Sequence, residues 1–107
     1  MELNAEEREA LSRVTQILHS RFGAREVILY GSAARGQLDE ESDIDLLVVL
    51  PRVDWEIQKE IIAVCFEAEL RCGRVISAVC YTTEEMEYSP LRSSPLVVTA
   101  RREGRAL

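Results

Sequence analysis

Leu11, Val14, Leu18 and Phe22 recur at helical spacing, with Asn4 and Glu7 ahead of them and Gly23 behind. Asn4 to Glu7 reads as a capping box and Gly23 as a helix stop, so the spacing predicts an amphipathic first helix. The period then changes. Glu26-Val27-Ile28-Leu29-Tyr30 is a short β-rich run ending at Gly31-Ser32, and Ala33-Ala34-Arg35 can open a helical turn that Gly36 closes. After the charged loop Asp39-Glu40-Glu41-Ser42, residues Asp43 to Leu50 predict a second strand that stops at Pro51. Asp54 can cap a long helix whose inner face is Ile57, Ile61, Val64, Cys65, Ala68 and Cys72, with Gly73 as terminator. Arg74 to Tyr81 reads as a third strand. Thr82 to Glu85 forms another capping box, and Ser89-Pro90 and Ser94-Pro95 are cap-then-proline starts, the second leading into Leu96 to Glu103. Alternating strands and helices imply an α/β (α+β) layer protein, with helices flanking a small sheet built on three strands.

Composition narrows this picture. The chain has 107 residues, 47% of them hydrophobic and 30% charged, which suits one compact core over residues 1–107 and argues against intrinsic disorder. Three cysteines, no apolar leader after Met1 and no apolar run long enough to span a bilayer point to a reduced, soluble, cytoplasmic protein. A net charge of −6 argues against broad binding to duplex nucleic acid, so any phosphate site must be local.

The segment from Gly31 to Leu50 carries the candidate chemistry. A strand that turns through Gly-Ser into a helix start aims free backbone N–H groups and a hydroxyl at one spot, which suits an anionic phosphate. Gly31 allows a close approach of the backbone. In an extended strand Asp43 and Asp45 lie on one face with Leu47 and Val49, same-face neighbours being roughly 6.5 Å apart. Two acids heading an otherwise apolar strand repel each other unless something compensates. A hard divalent cation shared between carboxylates and substrate phosphates is the usual compensation. Each half taken alone has an ordinary explanation, a capped turn or a solvated acid. Their conjunction across a short connection favours a shared site.

The pattern Gly31-Ser32, ten intervening residues, then Asp43-Ile44-Asp45, supported by Arg35-Gly36 and Ser42, closely resembles the minimal nucleotidyltransferases of the DNA polymerase β-like superfamily. The resemblance implies that family's fold, with a small mixed sheet flanked by helices. It implies transfer of a nucleoside monophosphate from a nucleoside triphosphate, ATP or another purine nucleotide. Asp43 and Asp45 would be the catalytic residues and hold Mg2+, while Gly31, Ser32, Arg35 and Ser42 would contact the nucleotide. It also implies a partner, because small proteins of this type are similar to antitoxins that modify a helical HEPN protein, and a chain of this length leaves little room for its own acceptor-binding domain. A homo-oligomer is left open.

One departure from the family pattern bears on activity. Fully active members of the superfamily carry a third carboxylate on a neighbouring strand, and the third strand here offers none in either register: Val75, Ser77, Val79 and Tyr81 share one face, Ile76, Ala78 and Cys80 the other. The alternative reading is therefore a nucleotide-binding or interaction module with weak or no transfer. Other polar candidates have plainer explanations. His19 reads as a surface or partly buried residue, Cys65, Cys72 and Cys80 as small core residues, Trp55 as a packing residue, and Arg92, Arg101, Arg102 and Arg105 as a solvated basic helix end. Arg35 could instead anchor the acidic loop Asp39 to Glu41.

Overall fold

A computed structural model of the chain describes residues 1–107. Helix α1 spans Ala5–Phe22 and is followed by β1 (Glu26–Tyr30), a 3-10 turn at Gly31–Ala33 and β2 (Ile44–Leu50). Helix α2 (Trp55–Cys72) leads to β3 (Ile76–Thr82), α3 (Thr83–Tyr88), a second 3-10 turn (Pro90–Ser93), α4 (Pro95–Glu103) and the two-residue β4 (Arg105–Ala106). The boundaries follow local chemistry. Asn4 and Glu7 satisfy each other's backbone N–H groups at the start of α1, as Thr82 and Glu85 do at α3, and the Asp54 and Ser94 side chains accept the N–H groups of Ile57 and Val97. Gly23 and Gly73 end α1 and α2 in the left-handed region.

The four strands form a mixed sheet in the order β3-β2-β1-β4. β1 runs antiparallel to both β2 and β4, and β2 runs parallel to β3. The central strand β2 is apolar on both sides because both faces of the sheet are covered. Ile44, Leu46, Val48 and Leu50 enter the larger core with Leu11, Val14 and Leu18 of α1 and Ile61, Val64, Cys65 and Ala68 of α2. Leu47 and Val49 enter a smaller core with Ile28, Met86 of α3, and Val97 and Ala100 of α4.

The structure departs from the sequence expectation in four places. β2 begins at Ile44, so Asp43 stands one residue ahead of the strand. β3 begins at Ile76, which releases Arg74 from the sheet. β4 was not anticipated, since two residues carry no periodicity. It exists because Ala106 and Arg105 pair with Ile28 and Leu29 of β1, and Leu107 N–H donates to the Val27 carbonyl. Trp55 does not pack: it is 68% exposed, and with Ile62, Phe66 and Leu70 it forms an apolar stripe along the outer side of α2. No helix is long and apolar enough to cross a membrane.

Candidate active site

The site is built where β1 ends. Tyr30, its last residue, pairs with Asp45 of β2, and Asp45 pairs on its other side with Ser77 of β3. Paired residues point to the same face, so Asp45 is flanked by a phenol and a hydroxyl on the side of the sheet covered by α3 and α4. The chain leaves β1 through Gly31 at φ +72°, and a Cβ at Gly31 would stand 2.7 Å from Asp45 Oδ2. Glycine is thus required twice, for its backbone conformation and for the space the Asp45 carboxylate occupies. The Gly-Ser turn and the Asp45 carboxylate share one place.

The turn after Gly31 is tighter than the sequence suggests. It is a single 3-10 turn, in which Ala34 and Arg35 N–H groups donate to the Gly31 carbonyl at 3.1 and 3.3 Å. The N–H groups of Gly31, Ser32 and Ala33 precede those bonds. Ser32 is half-buried there. Arg35 is directed elsewhere: its Nε donates to Gln37 Oε1 at 3.3 Å and its guanidinium lies 3.9 Å from Glu103 on α4. It does not anchor the acidic loop. Ser42 is engaged within that loop, its hydroxyl donating to Asp39 Oδ1 and accepting from Asp39 N–H, both at 3.0 Å.

Electrostatics mark Asp45. Burial, and then the neighbouring Asp43 carboxylate, pushes its carboxyl above the ordinary value. Burial, followed by the charges of Asp45 and Tyr81, likewise raises the Tyr30 phenol. No arginine or lysine side chain forms an ion pair with Asp43 or Asp45. No group of three or more His, Cys, Asp or Glu side chains comes together as a metal cage. Two carboxylates fit a hard cation that takes its remaining ligands from phosphates and water. They do not fit zinc, and the cysteines are free thiols, Cys65 and Cys80 being pushed to about 11 by burial.

Two larger hollows lie around this place. A groove of about 790 Å³ between α1 and β4 includes Ala33 in its lining but none of Gly31, Ser32, Asp43 or Asp45. A second, of about 550 Å³, runs between α2 and β3 and opens at Asp43 and Ser77. Of the remaining sequence candidates, His19 is exposed and its ring nitrogens lie 2.9 Å from the Ala24 carbonyl and 3.2 Å from Leu107 O. Arg101 pairs with Glu26 at 2.9 Å and Arg92 donates to the Glu87 carbonyl, so much of the basic tail is held within the fold. Sequence reasoning passed over Arg74, which reaches the Asp39 to Ser42 loop from the far side of the chain.

Comparison with known proteins identifies the family. The chain is 38% identical over 80 residues to the Methanocaldococcus jannaschii protein named "Putative protein adenylyltransferase MJ0604", covering 73% of this chain and 76% of that protein. A shorter stretch of 31 residues is 52% identical to "Protein adenylyltransferase MntA" of Thermococcus cleftensis, covering 29% of this chain and 31% of the relative. Among solved structures, a tyrosine mutant of the toxin–antitoxin pair MntA–HpeT superposes with a TM-score of 0.59 at 19% identity, over 91% of this chain and 70% of that one, which bears on the fold. The nucleotidyltransferase domain profile matches residues 11–105. A Gly-Ser turn beside the Asp45 carboxylate, a relative 38% identical over 80 residues and a profile match across nearly the whole fold lead to one conclusion: the chain belongs to the nucleotidyltransferase domain family.

Proposed function

We propose that the protein binds a magnesium-bound nucleoside triphosphate, ATP, and transfers its adenylyl group to a hydroxyl on a helical HEPN-type partner, the hydroxyl oxygen bonding to the α-phosphorus as the α–β phosphoanhydride bond breaks and pyrophosphate leaves, as the antitoxin of a toxin–antitoxin pair. The observation that supports the reading is the close approach of Gly31 to the Asp45 carboxylate, which brings the Gly-Ser turn beside one of the two acids. Asp43 and Asp45 hold the cation. Backbone N–H groups at Gly31 and Ser32, with the Ser32 hydroxyl, receive the triphosphate. A magnesium ion held by Asp43 and Asp45 would supply charge neutralisation on the phosphates. The names of the relatives support adenylyl as the transferred group and protein as the acceptor. A toxin–antitoxin pair among the structural neighbours supports a partner, and the exposed Trp55, Ile62, Phe66 and Leu70 stripe suits contact with another protein. The test is incubation with α-labelled ATP, magnesium and the product of the adjacent gene. Label on the partner is the expected result; no label above that of a control variant lacking the Asp45 carboxylate defeats the transfer reading.

A second reading, nucleotide binding with weak transfer, is favoured by Ser77. It pairs directly with Asp45 on the neighbouring strand, which carries no carboxylate. Without an acid there, proton removal from the attacking hydroxyl falls to the acceptor's own surroundings or to water. Ser77→Asp is expected to raise the transfer rate at saturating magnesium by about tenfold or more. In magnesium-free buffer it should lower the melting temperature, because a third carboxylate adds repulsion beside Asp45. An unchanged rate, with the predicted loss of stability, would show that transfer draws no help from that position.

A further inference from the structure

Asp43 lies outside β2 and is exposed, so nothing in the strand ladder holds it at a defined distance from Asp45. Its two neighbours are tied instead. The Ser42 carbonyl accepts from the Arg74 guanidinium at 2.6 Å, and the Ile44 N–H donates to the Val75 carbonyl at 2.9 Å. The dipeptide Arg74-Val75 therefore grips the chain on both sides of Asp43. The same Arg74 nitrogen donates to the Asp39 carbonyl at 2.9 Å, closing the loop that the Asp39 and Ser42 side chains tighten from within. Arg74 is itself fixed: its Nε donates to Glu7 Oε2, the two side chains being 11% and 6% exposed. Glu7 uses its other oxygen to accept the Asn4 N–H at 2.9 Å.

We propose that Arg74 is a positioning residue for the metal-binding pair: its guanidinium contacts with the Asp39 and Ser42 carbonyls set that loop and thereby the place of Asp43 relative to Asp45. The inference rests on the nucleotide-site reading given above. Arginine is needed because one planar group must donate along two directions, to a carboxylate and to two carbonyls, and a lysine ammonium cannot span all three from one point. Glu7 serves a different end. It neutralises Arg74 and caps α1, so its contribution is to stability, while the carbonyl contacts of Arg74 carry the positioning.

Two variants separate these roles. In Arg74→Lys, magnesium-dependent affinity for labelled ATP in equilibrium dialysis should weaken by about tenfold to a hundredfold, the usual effect of removing a group that orients a metal ligand. Amide hydrogen exchange should accelerate at Ser42 and Ile44, whose N–H groups bond to the Asp39 and Val75 carbonyls, with the other β1 and β2 core amides unchanged. In Glu7→Gln, the melting temperature should fall while affinity stays within about twofold of the parent protein, since Arg74 keeps both carbonyl contacts. Loss of affinity in proportion to loss of stability in both variants, or exchange that accelerates throughout the fold, would overturn the assignment. If the parent protein shows no magnesium-dependent ATP affinity, the nucleotide-site reading fails by itself. The exchange measurement then still decides whether Arg74 holds the Asp43 segment.

Discussion

Replacing the Asp45 carboxylate with an amide, Asp45→Asn, should reduce adenylyl transfer by roughly 10³-fold or more, because an oriented charge that meets the metal and phosphates is the largest contribution such a site makes. The same substitution should raise the melting temperature of the nucleotide-free protein. Asp45 is pushed above its ordinary carboxyl value by burial and then by Asp43, so the folded state holds the proton more tightly than the unfolded chain. A group raised in this way stabilises the fold only below its unfolded value, and that contribution is lost as pH rises through the folded one. At neutral pH the ionised Asp45 is therefore a burden on the fold, which asparagine removes. Asp39 and Glu7 work in the opposite sense. Asp39 is lowered by the Glu41 N–H and the Ser42 hydroxyl; in Glu7 burial raises the carboxyl but is outweighed by the hydrogen bonds from Arg74 and Asn4. Both contribute stability above their ordinary values and lose it as pH falls. The diagnostic quantity is thus the difference between variant and parent. The melting-temperature gap should widen in favour of Asp45→Asn as pH rises through the acid range, and close again when magnesium and ATP are added to the parent. Equal melting temperatures at every pH would remove the electrostatic account of the pair.

Gly31→Val should be the most damaging single change at the turn. A non-glycine residue at φ +72° costs about 1–2 kcal/mol for the left-handed backbone alone. The added Cβ would also stand 2.7 Å from Asp45 Oδ2, so either the turn or the carboxylate must move. Destabilisation of about 2–4 kcal/mol by urea unfolding is expected, adding that contact to the backbone cost. Magnesium-dependent ATP affinity should fall below detection. Gly73→Ala provides the contrast. Gly73 has φ +74° but nothing within 4 Å of an added Cβ, so it bears the backbone cost of about 1 kcal/mol without disturbing any neighbour. Retained ATP affinity in Gly73→Ala and lost affinity in Gly31→Val would locate the effect in the Asp45 contact. Equal loss in both would mean that general destabilisation, rather than displacement of Asp45, governs binding.

Several of the site's features could be read before any coordinates. Caps at Asn4, Asp54, Thr82 and Ser94, stops at Gly23 and Gly73, and the two-faced pattern of β2 all depend on hydrogen bonds or side-chain periods within a few residues, so the elements appear in the sequence nearly as they do in the fold. The absence of an acid on β3 was legible for the same reason: strand alternation alone assigns Ser77, Val79 and Tyr81 to one face. What alternation could not supply was the pairing register. That Ser77 and Tyr30 both lie directly beside Asp45 depends on how three strands slide past one another.

The unread features are long-range. Arg74 joins Glu7 across 67 positions and Ser42 across 32. The sequence offered Arg35 as a nucleotide contact or as an anchor of the acidic loop; in the fold its side chain lies by Gln37 and Glu103, away from that loop. Trp55 read as a packing residue because its size favours burial; only the placement of α2 against α1 decides which of its sides is left outside. β4 pairs through two residues, too few to carry a period. The sequence by itself determined the elements, their caps, the two faces of the central strand and the Gly-Ser to Asp-x-Asp spacing, since each is set by short-range hydrogen bonding and side-chain alternation. Only the tertiary structure decided that Gly31 and the Asp45 carboxylate fill one space and that Arg74 grips the backbone beside Asp43, because contacts between distant segments depend on how the sheet and helices close together.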